Sequence, residues 1–76
     1  MYFGKQLVKK RKDLKLSEAF LSKQIGVSRS YIALIEHGKR LPSKKLLAKF
    51  AQALTLTKKD IIEWYIEDVR EQISKY

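Results

Sequence analysis

Gly26-Val27-Ser28-Arg29-Ser30-Tyr31-Ile32-Ala33-Leu34-Ile35-Glu36-His37-Gly38-Lys39-Arg40-Leu41-Pro42-Ser43 is the stretch that decides the fold. Gly26 can take the left-handed conformation that ends a helix. Ser28 is a good N-cap, its hydroxyl able to accept an N–H of the next first turn. Ile32 and Ile35, three apart, give that next helix one buried side. Arg29, Ser30, Tyr31, Ala33, Leu34 and His37 are left to the other. A turn of this length containing glycine lets two short helices cross steeply and leaves the second exposed along one side. The major groove of DNA is wide enough to admit such a helix. His37-Gly38 closes it, and Pro42 bars any helix through Leu41, so residues 39–42 read as a loop.

Upstream, Ser17 caps a helix that buries Leu21 and Ile25, with Glu18 at the positive end of its dipole. Before it, Phe3, Val8, Leu7, Arg11 and Leu14 share a face of a helix over about 3–14, and Lys5, Lys9 and Lys12 line the other. Lys9, Lys10 and Lys12 read as a solvated face that adds diffuse attraction to a polyanion. Downstream, Leu46, Leu47, Phe50, Ala51 and Leu54 form an i, i+3, i+4 stripe on a helix following Ser43. Thr57 and Asp60 have the spacing of a capping box for a helix over about 58–76. The expectation is an all-α, compact five-helix bundle, a single domain over 1–76, with the helix-turn-helix at about 18–37.

Charge is distributed unevenly. Residues 1–59 carry 15 basic groups against Asp13, Glu18 and Glu36, a net +12; residues 60–76 carry two against five acids, a net −3. One part suits a polyanion and the other faces away from it. Lys39 and Arg40 flank the exposed helix, and Lys44 and Lys45 fall in a first turn whose free N–H groups also favour phosphate. With one histidine, no cysteine, no phosphate-cradling glycine loop and no carboxylate pair on a shared apolar face, the chain offers no enzyme site, metal site or cofactor site. The absent cysteine fits a reducing cytoplasm. There is no apolar run long enough for a membrane span and none at the start for a secretory signal. The aromatic platforms common in readers of single-stranded RNA are not evident.

The stretch from Gly26 to Ser43 closely resembles the signature of the Cro/phage-repressor (Xre-type) helix-turn-helix family, with Gly26, Ile32, Ile35, Glu36, Gly38 and Pro42 in register. The resemblance runs from Arg11 to about Ile62. The segment Arg29-Ser30-Tyr31-Ile32 and the small size are also similar to the restriction–modification controller branch. It implies a lambda-repressor-like domain acting as a dimeric, cytoplasmic transcriptional regulator, a repressor or autoregulator, on double-stranded DNA, with no effector domain. Arg29, Ser30 and Leu34 fall where family members touch base edges. Ser28, Tyr31 and His37 fall near phosphates or flanking bases, and Lys39, Arg40 and Lys44 at the backbone. Arg11 and Glu36 match a pair that often ties the first helix to the third; Glu36, an acid on a basic surface facing DNA, needs such a partner.

Two positions depart from the family pattern. Glu18 stands where a phosphate-donating Gln is usual, so that anchor is either missing or replaced, with Lys23 as the candidate replacement. Ser22 stands where Ala is usual, and its hydroxyl needs a partner.

The last helix is apolar over an arc of roughly 140° through Ile61, Ile62, Tyr65, Ile66, Val69, Ile73 and Tyr76, with Trp64 outside it. Two readings follow. A second copy covers the surplus, through Ile61, Trp64, Tyr65 and Val69, with Glu63, Glu67, Asp68 and Glu71 held away from phosphate; a homodimer then reads a near-palindromic operator. Alternatively the helix folds back on Tyr2 and Phe3 and closes its own core. A further alternative function is an antitoxin-like interaction module whose last helix holds a different protein. Phe20 belongs either to the domain edge or to such an interface.

Overall fold

The computed structural model describes residues 2–74, and the side chain of Gln72 is not among them. The described residues form five α-helices and no strand: α1 Tyr2–Asp13, α2 Glu18–Ile25, α3 Arg29–Glu36, α4 Leu47–Ala53 and α5 Lys58–Ser74. A 3-10 turn, Lys44–Leu46, leads into α4, so the helix expected after Ser43 begins a turn late. Tyr76 of the apolar arc lies outside the described residues. Among those residues no helix is long and apolar enough to cross a membrane.

The helix ends follow from local chemistry. Ser17 Oγ accepts from the Phe20 N–H and Ser28 Oγ from the Tyr31 N–H, each at 3.0 Å. Thr57 and Asp60 form the reciprocal box, the Asp60 N–H donating to Thr57 Oγ1 at 3.1 Å and the Thr57 N–H to Asp60 Oδ2 at 3.4 Å. Gly26, at φ 85°, ends α2 with its N–H on the Ser22 carbonyl at 2.8 Å. Two other ends use residues with no glycine signature. Lys15 and Thr55, both at φ 58°, end α1 and α4 in the left-handed region. There the Leu16 N–H reaches the Arg11 carbonyl at 3.0 Å and the Leu56 N–H reaches the Ala51 carbonyl at 2.8 Å. Those bonds, with apolar Leu16 and Leu56 following, make the Schellman closure that offsets a left-handed cost of about 1–2 kcal/mol per residue.

One core joins all five helices. Phe3, Leu7, Leu21, Ile25, Ile32, Ile35, Phe50, Ala51, Leu54 and Ile61 are buried together. Helix α1 packs on α3 and α5, α2 on α3 and α4, and α4 on α5. Phe3 stands edge-on to both Phe50 and Trp64, with ring centroids 5.7 and 5.6 Å apart, so α1 bridges α4 to α5. Gly4 permits that docking. A Cβ there would collide with the carbonyl oxygens of Ile35 and Glu36, so α1 reaches the end of α3 only because this residue has no side chain.

Helix α5 divides its apolar surface in a way the sequence alone leaves open. Its inner side closes the chain's own core: Ile61 is buried, and Trp64 and Tyr65 pack against the same cluster. Ile61 is therefore unavailable to a partner, which corrects its expected place in an interface, and Trp64 and Tyr65 are largely engaged within the chain. The outer side carries Ile62, Ile66 and Ile73, 45%, 41% and 68% exposed. Val69 lies half-buried between the two.

Asp68 is the second correction. Expected on an outward acidic face, it is 1% exposed and accepts the N–H groups of Tyr2 and Phe3, the latter at 2.7 Å. The first N–H groups of a helix have no partner within the helix and favour negative charge. A carboxylate delivered from α5 meets both needs and fixes the start of α1 in the core.

Candidate nucleic-acid interface

The surface opposite the core face of α3 is built by two constraints. Ile32 and Ile35 are buried, and the helix has whole residues to spare on the other side. Arg29, Ser30, Leu34 and His37 are all exposed there, and Leu34 is an apolar side chain 43% exposed among polar ones. Arg29, Ser30 and Leu34 thus share the outward face, as their spacing requires. His37 is the C-cap, its N–H on the Ala33 carbonyl at 3.0 Å. Ser28 Oγ accepts one bond at the cap of α3 and keeps its hydroxyl proton for another partner.

Cations frame this face. Lys23 is exposed in the last turn of α2, Lys39 and Arg40 in the loop after α3, and Lys44 and Lys45 at the 3-10 turn. The loop is anchored by Tyr31, a role its sequence position does not reveal. The Tyr31 hydroxyl accepts the Ser43 N–H at 3.0 Å, and the Arg40 guanidinium lies over the Tyr31 ring, 4.9 Å from its centroid. Tyr31 is half-buried against the core, so it ties the Lys39–Arg40 segment to α3 and leaves its own O–H free to donate.

Arg11 and Glu36 meet as expected. Arg11 Nε lies 2.7 Å from Glu36 Oε2 and Nη2 lies 3.1 Å from Oε1, a bidentate pair, while Nη1 donates to the Leu16 carbonyl at 2.9 Å. Donation to the Glu36 carboxylate holds the Arg11 pKa above its usual value. The side chains are only 13% and 6% exposed, so Glu36 is not on the outward basic surface; it is an internal clasp between α1 and α3. Ser22 resolves the other departure within its own helix, its hydroxyl donating to the Ala19 carbonyl at 2.7 Å. Phe20 is exposed on α2. Glu18 is drawn toward Arg29, Oε1 to Nε at 3.7 Å.

A family profile described as helix-turn-helix matches residues 7–61. The chain is 38% identical over 53 residues to the ImmF control region 10 kDa protein of Bacillus phage phi105, an alignment covering 70% of this chain and 59% of that protein. The chain therefore spans about three fifths of that relative's length. It resembles the restriction-modification controller protein C.AhdI of Aeromonas hydrophila, with 32% identity, a TM-score of 0.73 and coverage of 79% of this chain and 91% of that one. The P22 c2 repressor protein, solved in complex with a synthetic operator, superposes with a TM-score of 0.74 at 28% identity over 80% of this chain and 92% of its own.

The chain belongs to the helix-turn-helix family of DNA-binding regulators, within the Cro/phage-repressor (Xre-type) group. Helices α2 and α3, residues 18–36, form its two-helix unit.

Proposed function

We propose that the chain regulates transcription in the cytoplasm by inserting α3 into the major groove of a specific double-stranded operator, as a homodimer and as a repressor or autoregulator. The observation that carries this reading is the outward face of α3. Arg29, Ser30 and Leu34 are exposed there while the opposite face is fixed in the core, and exposed Lys39 and Arg40 follow in the next loop. Arg29 would read guanine O6 and N7, and Leu34 a thymine methyl. Ser28, His37, Lys23, Lys39 and Lys44 would meet phosphate, with Tyr31 and Arg40 holding the loop in register. The outer stripe of α5, Ile62, Ile66 and Ile73, supports pairing of two copies. A two-fold axis would set the recognition helices about 34 Å apart and require near-palindromic half-sites.

The test is affinity for a site selected from a random duplex pool, measured against random duplex over a salt series. Counterion release makes binding fall steeply with salt; a flat response removes DNA as the main partner. Arg29→Ala should cost about 1–3 kcal/mol on the selected site and relax preference at one base pair. Lys39→Ala should weaken all sequences alike. The same outer stripe also fits a different protein, as in an antitoxin-like module. A free chain that sediments as a monomer at high micromolar concentration favours that second reading.

A further inference from the structure

Glu18 and Arg29 are the first residues of α2 and α3, so the turn Gly26–Ser28 brings two helix N-termini to the same edge of the motif. Their side chains meet there, Glu18 Oε1 lying 3.7 Å from Arg29 Nε. At that distance the contact is a Coulombic tether and not a hydrogen bond. The partners differ in freedom: the Glu18 side chain is 24% exposed and Arg29 is 70% exposed. The carboxylate is thus the more enclosed end and the guanidinium the more exposed one. The contact is at Nε and the side chain is largely exposed, so the two terminal amino groups can serve a bidentate approach to guanine. The carboxylate also occupies the start of α2, where open N–H groups would otherwise attract phosphate.

We propose that Glu18 is a specificity-determining residue, which holds Arg29 by Nε for base-edge contact and repels phosphate, lowering affinity for random DNA more than for the operator. The proposal rests on the reading of Arg29 as a base contact. An exposed charge interaction is worth little by itself, and discrimination needs only a difference between two binding modes. When Arg29 turns to phosphate it leaves its counter-charge and brings the carboxylate near a second negative group; when it turns to guanine it keeps the tether.

Three variants test this, each compared by thermal melting with the parent and assayed on the selected site and on random duplex. Glu18→Gln should raise affinity for random duplex and steepen its salt slope by about one. The ratio of selected to random affinity should fall roughly two- to fivefold, the size of one exposed charge interaction. Glu18→Asp keeps the charge but is a methylene shorter; random affinity should stay at the parent level while the ratio still falls. With Arg29→Ala already present, Glu18→Gln should raise random affinity and leave the ratio unchanged. An unchanged or higher ratio in Glu18→Gln overturns the proposal while leaving Arg29 as a base reader, provided Arg29→Ala alone lowers the ratio. If Arg29→Ala alone leaves it unchanged, Arg29 is not a base contact and both readings fall. A melting shift in Glu18→Gln leaves Glu18→Asp to decide: an unchanged ratio there also overturns the proposal.

Discussion

Helices α3 and α5 both have more apolar surface than one side can hide, and they deal with it in opposite ways. In α3 the apolar set is two isoleucines three apart, both buried, with one leucine left outward among polar groups. Its orientation is determined by a cap, a glycine turn and a clasp to α1. In α5 the apolar residues wrap too far round for any one rotation to be obvious. The helix is split between an inner face that completes the core and an outer face that ends in solvent. A short helix with punctuation at both ends has one way to lie; a long one with a wide stripe takes its rotation from what it packs on.

The sharpest break in this comparison comes at the α1–α3 clasp. Glu36→Gln leaves Arg11 mostly enclosed without a counter-charge and should cost about 3 kcal/mol. For a chain of this size that lowers the melting temperature by more than about 10 °C. Reversing both charges, Arg11→Glu with Glu36→Arg, should recover part of the loss. Strict additivity across the four proteins would deny that the pair interacts.

Next in size is the inner face of α5. Asp68→Ala strands two N–H groups at the start of α1 and should cost about 2–3 kcal/mol by denaturant unfolding, with Asp68→Asn milder because one acceptor oxygen remains. A neutral Asp68→Ala would mean that α1 begins without help from α5 and that the rotation of α5 is set by Ile61 and Trp64 alone.

Gly4→Ala sets two effects against each other. Alanine within a helix is about 1 kcal/mol better than glycine, yet the added methyl would meet the carbonyls of Ile35 and Glu36. Overpacking of about 1–3 kcal/mol should win, giving net destabilisation in a urea titration. A stabilised variant would show that α1 can shift along α3 without loss.

The smallest effect on the fold belongs to the outer face of α5. Ile66→Lys should change unfolding free energy by less than about 0.5 kcal/mol, since the side chain lies largely in water. It should nonetheless abolish self-association in sedimentation. A large loss of stability at concentrations where the parent is monomeric would place Ile66 in the core and erase the distinction between the two faces.

Local rules carried much of the candidate interface. Ser17, Gly26 and Ser28 bound their helices by chemistry acting within four residues. The exposure of Arg29, Ser30 and Leu34 then follows from the burial of Ile32 and Ile35. Arg11 and Glu36 were identifiable through the family pattern, because the pair spans 25 residues and no local spacing announces it. The anchoring of the loop by Tyr31 has no local signal in the sequence. Its partners, Ser43 and Arg40, approach only after the chain has turned at Gly38.

The helical content, the motif and its outward face are legible along the chain, since each depends on short-range capping, turn geometry and the 3.6-residue period. Long-range packing alone establishes that Asp68 caps a helix that begins 66 residues before it in the chain, that Ile61 faces inward while Ile62 faces out, and that Glu18 lies against Arg29. The physical reason is the same in each case. A carboxylate reads as a surface group until a distant set of unpaired N–H donors is brought to it. Adjacent isoleucines differ by only 100° of rotation, which the helix's own pattern leaves unresolved until α1 docks through Gly4 and Phe3.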